Sequence, residues 1–328
     1  PLNSIPVILA CAAVLLLFCS CSEDCAVCPD DSAHTPIGWF EQSLATQDVF
    51  YGLHVFDANT VIAVGEAGVV VRSTDGGKTW TRIESGTTER LSGVSFVDEN
   101  TGWAAGINSV ILKTTDGGQN WLPQNSGVTT HFRAVHFLDE NTGWVTGAPW
   151  GTPNMDGYVM KTIDGGDTWV SQLVVGSNTV CFADADSGCV GASGGVRRTI
   201  DGGDTWNFID MGAPRAITSI VFVDPNTGWA SGQDGFLAKT TDGGATWASQ
   251  NDGADRSIND VFFVDAGRGW YIAAGTIAAT IDGGETWSFQ ACPTTEGIRA
   301  SAFADQNIGW IVGYNAVILK TVTSGELR

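Results

Sequence analysis

The chain has 328 residues, 42 of them Gly and 13 Trp, and only 16% are charged. This suits an all-β protein full of tight turns, long enough for one closed repeat architecture or two ordinary domains. Against 16 basic residues stand 36 acidic ones, a net charge of −20, which argues against nucleic acid as a partner because phosphate binding needs a net basic footprint.

Ile5 to Phe18 is an apolar run of 14 residues, too short for a comfortable membrane span. It ends in Leu17-Phe18-Cys19-Ser20-Cys21-Ser22, ahead of acidic Glu23 and Asp24. This is the layout of a secretory signal. A Cys after a small residue resembles a bacterial lipobox, which would make Cys21 the lipidated first residue of the mature protein; the alternative is an ordinary cleaved signal. Phe18 at −3 departs from the ideal pattern, and neither a starting Met nor a basic stretch precedes the run, so the true start is read as missing. Residues 1–20 are expected to be a lipoprotein-type signal peptide, 21–36 an acidic flexible tether, and 37–328 the folded domain. Such a protein is exported and faces the periplasm or the cell exterior from a membrane. Cys25-Ala26-Val27-Cys28 lies in the tether without the βαβ context of a redox motif and without a second C-x-x-C for zinc. A local disulfide or free thiols is the expected state.

From Thr74 onward a box recurs: T-D-G-G-K-T-W, T-D-G-G-Q-N-W, T-I-D-G-G-D-T-W twice, T-D-G-G-A-T-W and T-I-D-G-G-E-T-W. Its aspartates are Asp75, Asp116, Asp164, Asp201, Asp242 and Asp282, at steps of 41, 48, 37, 41 and 40. A second motif lies upstream of each box, as in Val94-Ser95-Phe96-Val97-Asp98-Glu99-Asn100-Thr101-Gly102-Trp103. Its aspartates, Asp57, Asp98, Asp139, Asp184, Asp224, Asp265 and Asp305, step by 41, 41, 45, 40, 41 and 40 and count seven units. V-x-F alternation reads as a half-buried strand, and D-x-N-T-G as a turn in which Asp bonds its own backbone and Gly takes a positive φ. Each unit therefore predicts four strands: a (V-x-F-x-D), b (G-W-x-x-G), c (such as Val110 to Thr114) and d, starting at the box Trp. Seven four-stranded antiparallel units make a seven-bladed β-propeller.

Seven a-strands face only six boxes, because the last unit ends in Lys320-Thr321-Val322-Thr323-Ser324-Gly325. The missing strand is predicted at the other end of the chain, where Gly38-Trp39-Phe40-Glu41-Gln42-Ser43 matches Thr246-Trp247-Ala248-Ser249-Gln250-Asn251. Residues 37–45 are expected to complete blade 7 and close the ring. Blade 4 carries Cys189 in place of the b-strand Trp and Cys181 on its a-strand, so that a disulfide or two buried thiols are both open. With Cys21 lipidated, five Cys remain in the mature chain, an odd number that leaves one thiol free or paired outside it.

T-x-D-G-G-x-T-W resembles the Asp box of bacterial-neuraminidase-type repeats. Paired with V-x-F-x-D-x-x-T-G-W-x-x-G in each unit, it is similar to the propeller of the photosystem II stability and assembly factors, over roughly residues 37 to 328. The resemblance implies a non-catalytic, extracytoplasmic scaffold that binds a membrane-protein assembly intermediate, without cofactor or metal. Two other readings belong to the same box: a carbohydrate-binding propeller, and a sialidase-like glycoside hydrolase. A sialidase needs an arginine cluster, a Tyr nucleophile and an acid. Here Arg82-Ile83 is followed by Glu84 where that family has Pro, and no carboxylate stands out from the turn-forming majority. The histidines 34, 54, 131 and 136 show no metal spacing, and His54 and His136 share an a-strand position, which points to packing.

Up-and-down topology puts a–b turns and boxes on one face, d–a and b–c loops on the other. Arg90, Arg133, Arg215, Arg256 and Arg299 fall near a-strand starts on the second face, with Arg133 and Arg299 in one register. The longest b–c loop, residues 148–157, adds Trp150 to it. Loops on rigid scaffolds carry binding, and Trp with Arg is a common hot-spot pair. These six residues are the expected partner-binding set of a monomeric scaffold, acidic on one face and locally basic on the other.

Overall fold

The computed structural model describes residues 38–44, 46–148, 157–173, 177–250 and 256–325. The expected signal, Cys21, the tether and its C-x-x-C, and Trp150 lie outside these residues.

Seven four-stranded antiparallel sheets follow one another, each in the order a-b-c-d. The a-strands are Phe50–Val55, Leu91–Phe96, Phe132–Phe137, Val180–Phe182, Ile217–Phe222, Ile258–Phe263 and Ile298–Phe303. Each touches the a-strand of the next blade, and the seventh touches the first. They form a closed inner ring, and the molecule is a seven-bladed propeller.

The motif residues explain the packing. The a-strand Phe lies flat on the Gly that opens its own b-strand: a Cβ on Gly143 would sit 2.4 Å from the Phe137 ring, and one on Gly309 would sit 2.3 Å from Phe303. Only Gly fits under the ring. The b-strand Trp then stacks on the Phe of the following blade, with centroids 3.5 Å apart for Trp103–Phe137, Trp144–Phe182 and Trp229–Phe263. The box Trp meets the same Phe edge-on, as Trp169 does Phe137 at 6.0 Å. One Phe is thereby held between two Trp from two blades, and the apolar area removed from water is what binds neighbour to neighbour. On the other Trp face lies a c-strand Lys, 5.3 Å away for Lys113 over Trp103 and 4.7 Å for Lys320 over Trp310.

The boxes are built alike. In blade 5, Asp242 Oδ1 accepts from the Thr240 hydroxyl at 2.8 Å and from Thr246 N–H at 2.8 Å, and Oδ2 accepts from the Thr246 hydroxyl at 2.6 Å. Gly243 and Gly244 turn the chain at φ 66° and 82°. The Thr hydroxyl at the fourth following position, then that residue's N–H, holds Asp75, Asp164, Asp201 and Asp282 down to about 2. The first Gly carbonyl accepts across the seam: from Trp103 at Gly165 (2.9 Å) and from Trp229 at Gly283 (3.0 Å). Blade 4, with Cys189 in place of Trp, uses Arg198 Nε to reach the Gly243 carbonyl at 2.6 Å. Replacing Asp242 by Ala is expected to cost about 1 kcal/mol in chemical denaturation and to leave partner capture unchanged; loss of capture without loss of stability would give the box a functional role.

The N-terminal strand Trp39–Glu41 pairs with Ile318–Thr321 and completes blade 7, with Trp39 opposite Thr321. A seventh box exists, assembled from both chain ends. Ser324 and Gly325 take φ 57° and 76°, Gly325 N–H reaches the Thr321 hydroxyl at 2.7 Å, and Gly38 N–H reaches the Thr323 hydroxyl at 3.1 Å. Thr323 stands where the other boxes have Asp. The d-strands of blades 1 to 6 begin one residue after the box Trp, as at Thr81 and Leu122, because the Trp belongs to the turn.

Cys181 and Cys189 are register partners and both are free, buried thiols. The bonds Gly191 N–H to Thr179 O and Ala183 N–H to Ser187 O make theirs a hydrogen-bonded pair, the type whose Cα atoms lie about 5.5 Å apart with side chains less close. Burial pushes the Cys181 thiol up to about 11 and Cys189 higher still.

Candidate functional site

Seven bonds tie each box to the a–b turn of its own blade, such as Gly76 N–H to Asn59 O (2.9 Å), Gly243 N–H to Asn226 O (2.9 Å) and Ser324 N–H to Asn307 O (2.9 Å). Both turns therefore share a face in every blade. The seven turn aspartates each accept two backbone N–H groups; Asp224 Oδ1 takes those of Asn226 and Thr227 at 2.8 Å each. These seven aspartates, like those of the boxes, are carboxylates already engaged in local turns.

The opposite face surrounds the mouth of the inner ring. In six a-strands a β-bulge falls at the second residue, and a bulge re-aims a side chain out of strand alternation. The bulged residues are Tyr51, Ser92, Arg133, Thr218, Asn259 and Arg299, with Asn178 at the same distance ahead of Phe182 in blade 4. They circle the mouth, one per blade.

Arg133 and Arg299 share this register, as their spacing predicts, and Arg90 directly precedes its strand. The structure joins Arg299 and Arg90 through two tyrosines and gives Arg133 a different partner. Arg299 lies over the Tyr314 ring at 4.7 Å and donates to its hydroxyl. Tyr314 meets Tyr51 edge-on at 6.3 Å across the seam between blades 7 and 1. Arg90 lies over Tyr51 at 4.8 Å. Arg133 Nη1 donates to Asn178 Oδ1 at 3.0 Å. Burial first, then the like charge of Arg90, lowers the pKa of Arg133, and burial raises that of Tyr51. Two of the expected arginines stand apart, two residues ahead of their strands: Arg215 is ion-paired with Asp234 at 2.9 Å, and Arg256 donates to the Thr276 hydroxyl.

The face is not uniformly basic. Glu89 and Glu296 each hold the Asn of a b–c loop, Asn108 and Asn315, at 2.8 Å, so carboxylates flank the central arginines. Tyr51 and Tyr314 were absent from the expected set. Aligning the second residue of all seven a-strands would have placed Tyr51 beside Arg133 and Arg299. Tyr314 has no such signal, since it enters from a loop. Among the described residues no three His, Cys, Asp or Glu side chains gather as a metal site.

A family model described as photosynthesis system II assembly factor YCF48 matches residues 32–123 and 80–178. Over residues 32–178 the chain is YCF48-like. Among solved structures, YCF48 from Cyanidioschyzon merolae is similar at 22% identity and a TM-score of 0.71, covering 87% of this chain and 98% of its own. A YCF48 bound to D1 peptide is similar at 20% identity and a TM-score of 0.72, covering 89% and 99%. The WD40 propeller domain of Doa1 reaches a TM-score of 0.70 at 10% identity, covering 88% and 97%. Likeness at this level establishes the YCF48-like chain's architecture and leaves its partner open. No curated protein matches it.

Proposed function

We propose that this YCF48-like propeller is a non-catalytic scaffold that captures a protein partner, a membrane-protein assembly intermediate, at the mouth of its ring. The observation that carries the reading is the continuous row Arg299–Tyr314–Tyr51–Arg90 beside Arg133, drawn from blades 7, 1, 2 and 3, with Arg299, Tyr51 and Arg133 on inner strands and Tyr314 and Arg90 at their loops. Arg and Tyr are the side chains that dominate protein interfaces, because each buries a large planar surface and still hydrogen-bonds. The D1 peptide held by a solved YCF48 supports a polypeptide as the ligand class. Export and a lipid on Cys21 complete the proposal and would keep the scaffold beside membrane-inserted partners.

Substituting Arg133 and Arg299 together by Ala is expected to abolish partner capture in a crosslinking pull-down from the native membrane, while Arg215→Ala, whose guanidinium is paired with Asp234, retains it. Full retention by the double variant would refute the site. Cys21→Ala is expected to move the protein from the membrane to the soluble fraction, and continued membrane association would remove the lipid anchor from the proposal.

A further inference from the structure

Most seams between blades are filled by the same three side chains. A b-strand Trp stacks on the next blade's Phe, a c-strand Lys or Arg lies over that Trp or reaches the next box, and a Gln three residues after the box Trp plugs the outer end. The plug is tight. A Cβ on the second box Gly of the next blade would lie 2.4 Å from Gln124 Oε1 at Gly166, 2.7 Å from Gln250 Oε1 at Gly284 and 2.6 Å from Gln42 Oε1 at Gly77. The cation closes what is left, as Lys320 Nζ does at the Gly76 carbonyl (2.7 Å).

The seam between blades 1 and 2 departs at all three places. Ile62 stands where the Trp would be and Ile83 where the Gln would be. Arg72, the c-strand cation, makes no hydrogen bond among the described residues. Blade 4 also lacks the Gln, with Ile209 in its place, but Arg198 closes that seam on the Gly243 carbonyl at 2.6 Å. Between blades 1 and 2 nothing closes it, and a groove of about 460 Å³ opens on the outer strands, away from the ring mouth. That volume lies in the range of small-molecule sites.

The walls of the groove include Arg72, Thr81, Ile83, Glu84 and Gln119, together with Arg82. Its charges nearly cancel. Arg82 is ion-paired with Asp48, Arg72 interacts electrostatically with Asp57, and Glu84 adds a third carboxylate. A free anion meets those carboxylates and a cation meets the two guanidinium groups, so neither gains from the site. Ile83 is the one aliphatic side chain among these walls, too little to hold an apolar segment.

We infer that the groove between blades 1 and 2 is a binding site for a neutral saccharide. A sugar hydroxyl donates and accepts at once, so neighbouring hydroxyls suit a groove in which guanidinium and amide donors, a carboxylate acceptor and a Thr hydroxyl are gathered. Ile83 supplies the small apolar surface that the C–H face of a sugar ring needs. The site is separate from the mouth and does not rest on the protein-binding reading.

Saturation-transfer NMR and calorimetry on the full chain test it, with the methyl glycosides of glucose, galactose and mannose, and with sodium phosphate and glucuronate as charged probes. At least one neutral glycoside is expected to bind with a Kd of about 1–10 mM, and more tightly than either anion. Thr81→Val and Gln119→Ala, both at exposed positions, are each expected to weaken it roughly fivefold with an unchanged melting temperature. Ile83→Gln gives this seam the plug found in five others and is expected to abolish binding. The same exchange at Ile209, in the seam that Arg198 closes, is expected to leave it intact, as is the Arg133/Arg299 double variant. No glycoside binding up to about 50 mM, tighter binding of phosphate or glucuronate, or full affinity in both Thr81→Val and Ile83→Gln would each overturn the site. Loss of glycoside binding in the Arg133/Arg299 variant would also overturn it, by placing the sugar at the mouth.

Discussion

Deleting residues 38–44 is expected to collapse the melting transition by well over 10 °C, and Trp39→Ala alone to cost about 3–5 kcal/mol, roughly 6–15 °C for a chain of this size. Trp39 is buried in blade 7, edge-on to Phe303 at 5.8 Å, in one cluster with Trp270, Ile311 and Leu319. Its indole N–H donates to Gln290 Oε1 at 2.8 Å, and Gln290 Nε2 holds the Ser324 carbonyl at 2.7 Å. The substitution thus empties an aromatic site and loosens the split box at the same seam. A propeller with an open seam exposes the edge of Ile318–Thr321 and loses the cooperativity that closure provides. An unchanged melting temperature in the deletion would show that this strand does not hold the ring.

Acidification is expected to destabilise the protein in two separate windows. His54 and His136 line the inner ring, His54 against Phe56 (4.8 Å) and Phe96 (5.3 Å), His136 Nε2 3.2 Å from the Phe182 carbonyl. Burial lowers both from 6.5 to about 4. The unfolded chain therefore binds more protons than the native one between these values, and stability falls as pH drops from 6.5 toward 4, by on the order of 2–3 kcal/mol per histidine. The box aspartates, held near 2 against 3.8, add stability that is lost only below that window, as pH falls through 2. Asp260 works in the opposite direction. It accepts from Ser219 Oγ (2.7 Å) and from Ser301 N–H and Oγ (2.8 and 2.9 Å), joining the inner strands of blades 5, 6 and 7, and burial raises its pKa. Its native form takes up a proton before the unfolded form does, which offsets part of the acid loss. Urea titrations from pH 7.5 to 3 would measure this. The His54→Gln, His136→Gln double variant should flatten the slope between pH 6.5 and 4, and an unaltered slope would assign the loss elsewhere.

Most of the fold was legible because a propeller repeats its reasons. Phe137, Gly143 and the box Trp169 recur in nearly every unit, and each does a job defined by neighbours at fixed spacing, so seven copies of a pattern are seven statements of one packing rule. The split box at Thr323 was hidden because Thr321-Val322-Thr323-Ser324-Gly325 keeps the leading Thr and second Gly of the others but not their Asp or first Gly, with φ 57° at Ser324 and a Thr hydroxyl doing the work of a carboxylate. Local strand spacing also left the Cys181–Cys189 bridge open, since whether a register pair is hydrogen-bonded depends on the alternation along the whole ladder.

The candidate site divides differently. Sequence spacing alone put Arg133 and Arg299 in one register and all five arginines on the face away from the boxes, because chain direction in an up-and-down blade decides which loops share a face. It determined the architecture, the closing strand and the structural role of the aspartates, for these follow from local periodicity and count. Only the tertiary structure decided which arginines lie together. Arg90 and Arg299 meet through Tyr51 and Tyr314 because blades 7 and 2 flank blade 1 once the ring is closed, a proximity between residues over 200 positions apart that no local pattern encodes. The same closure left Arg215 to Asp234 and Arg256 to Thr276, where loop geometry, and not register, supplies the partner.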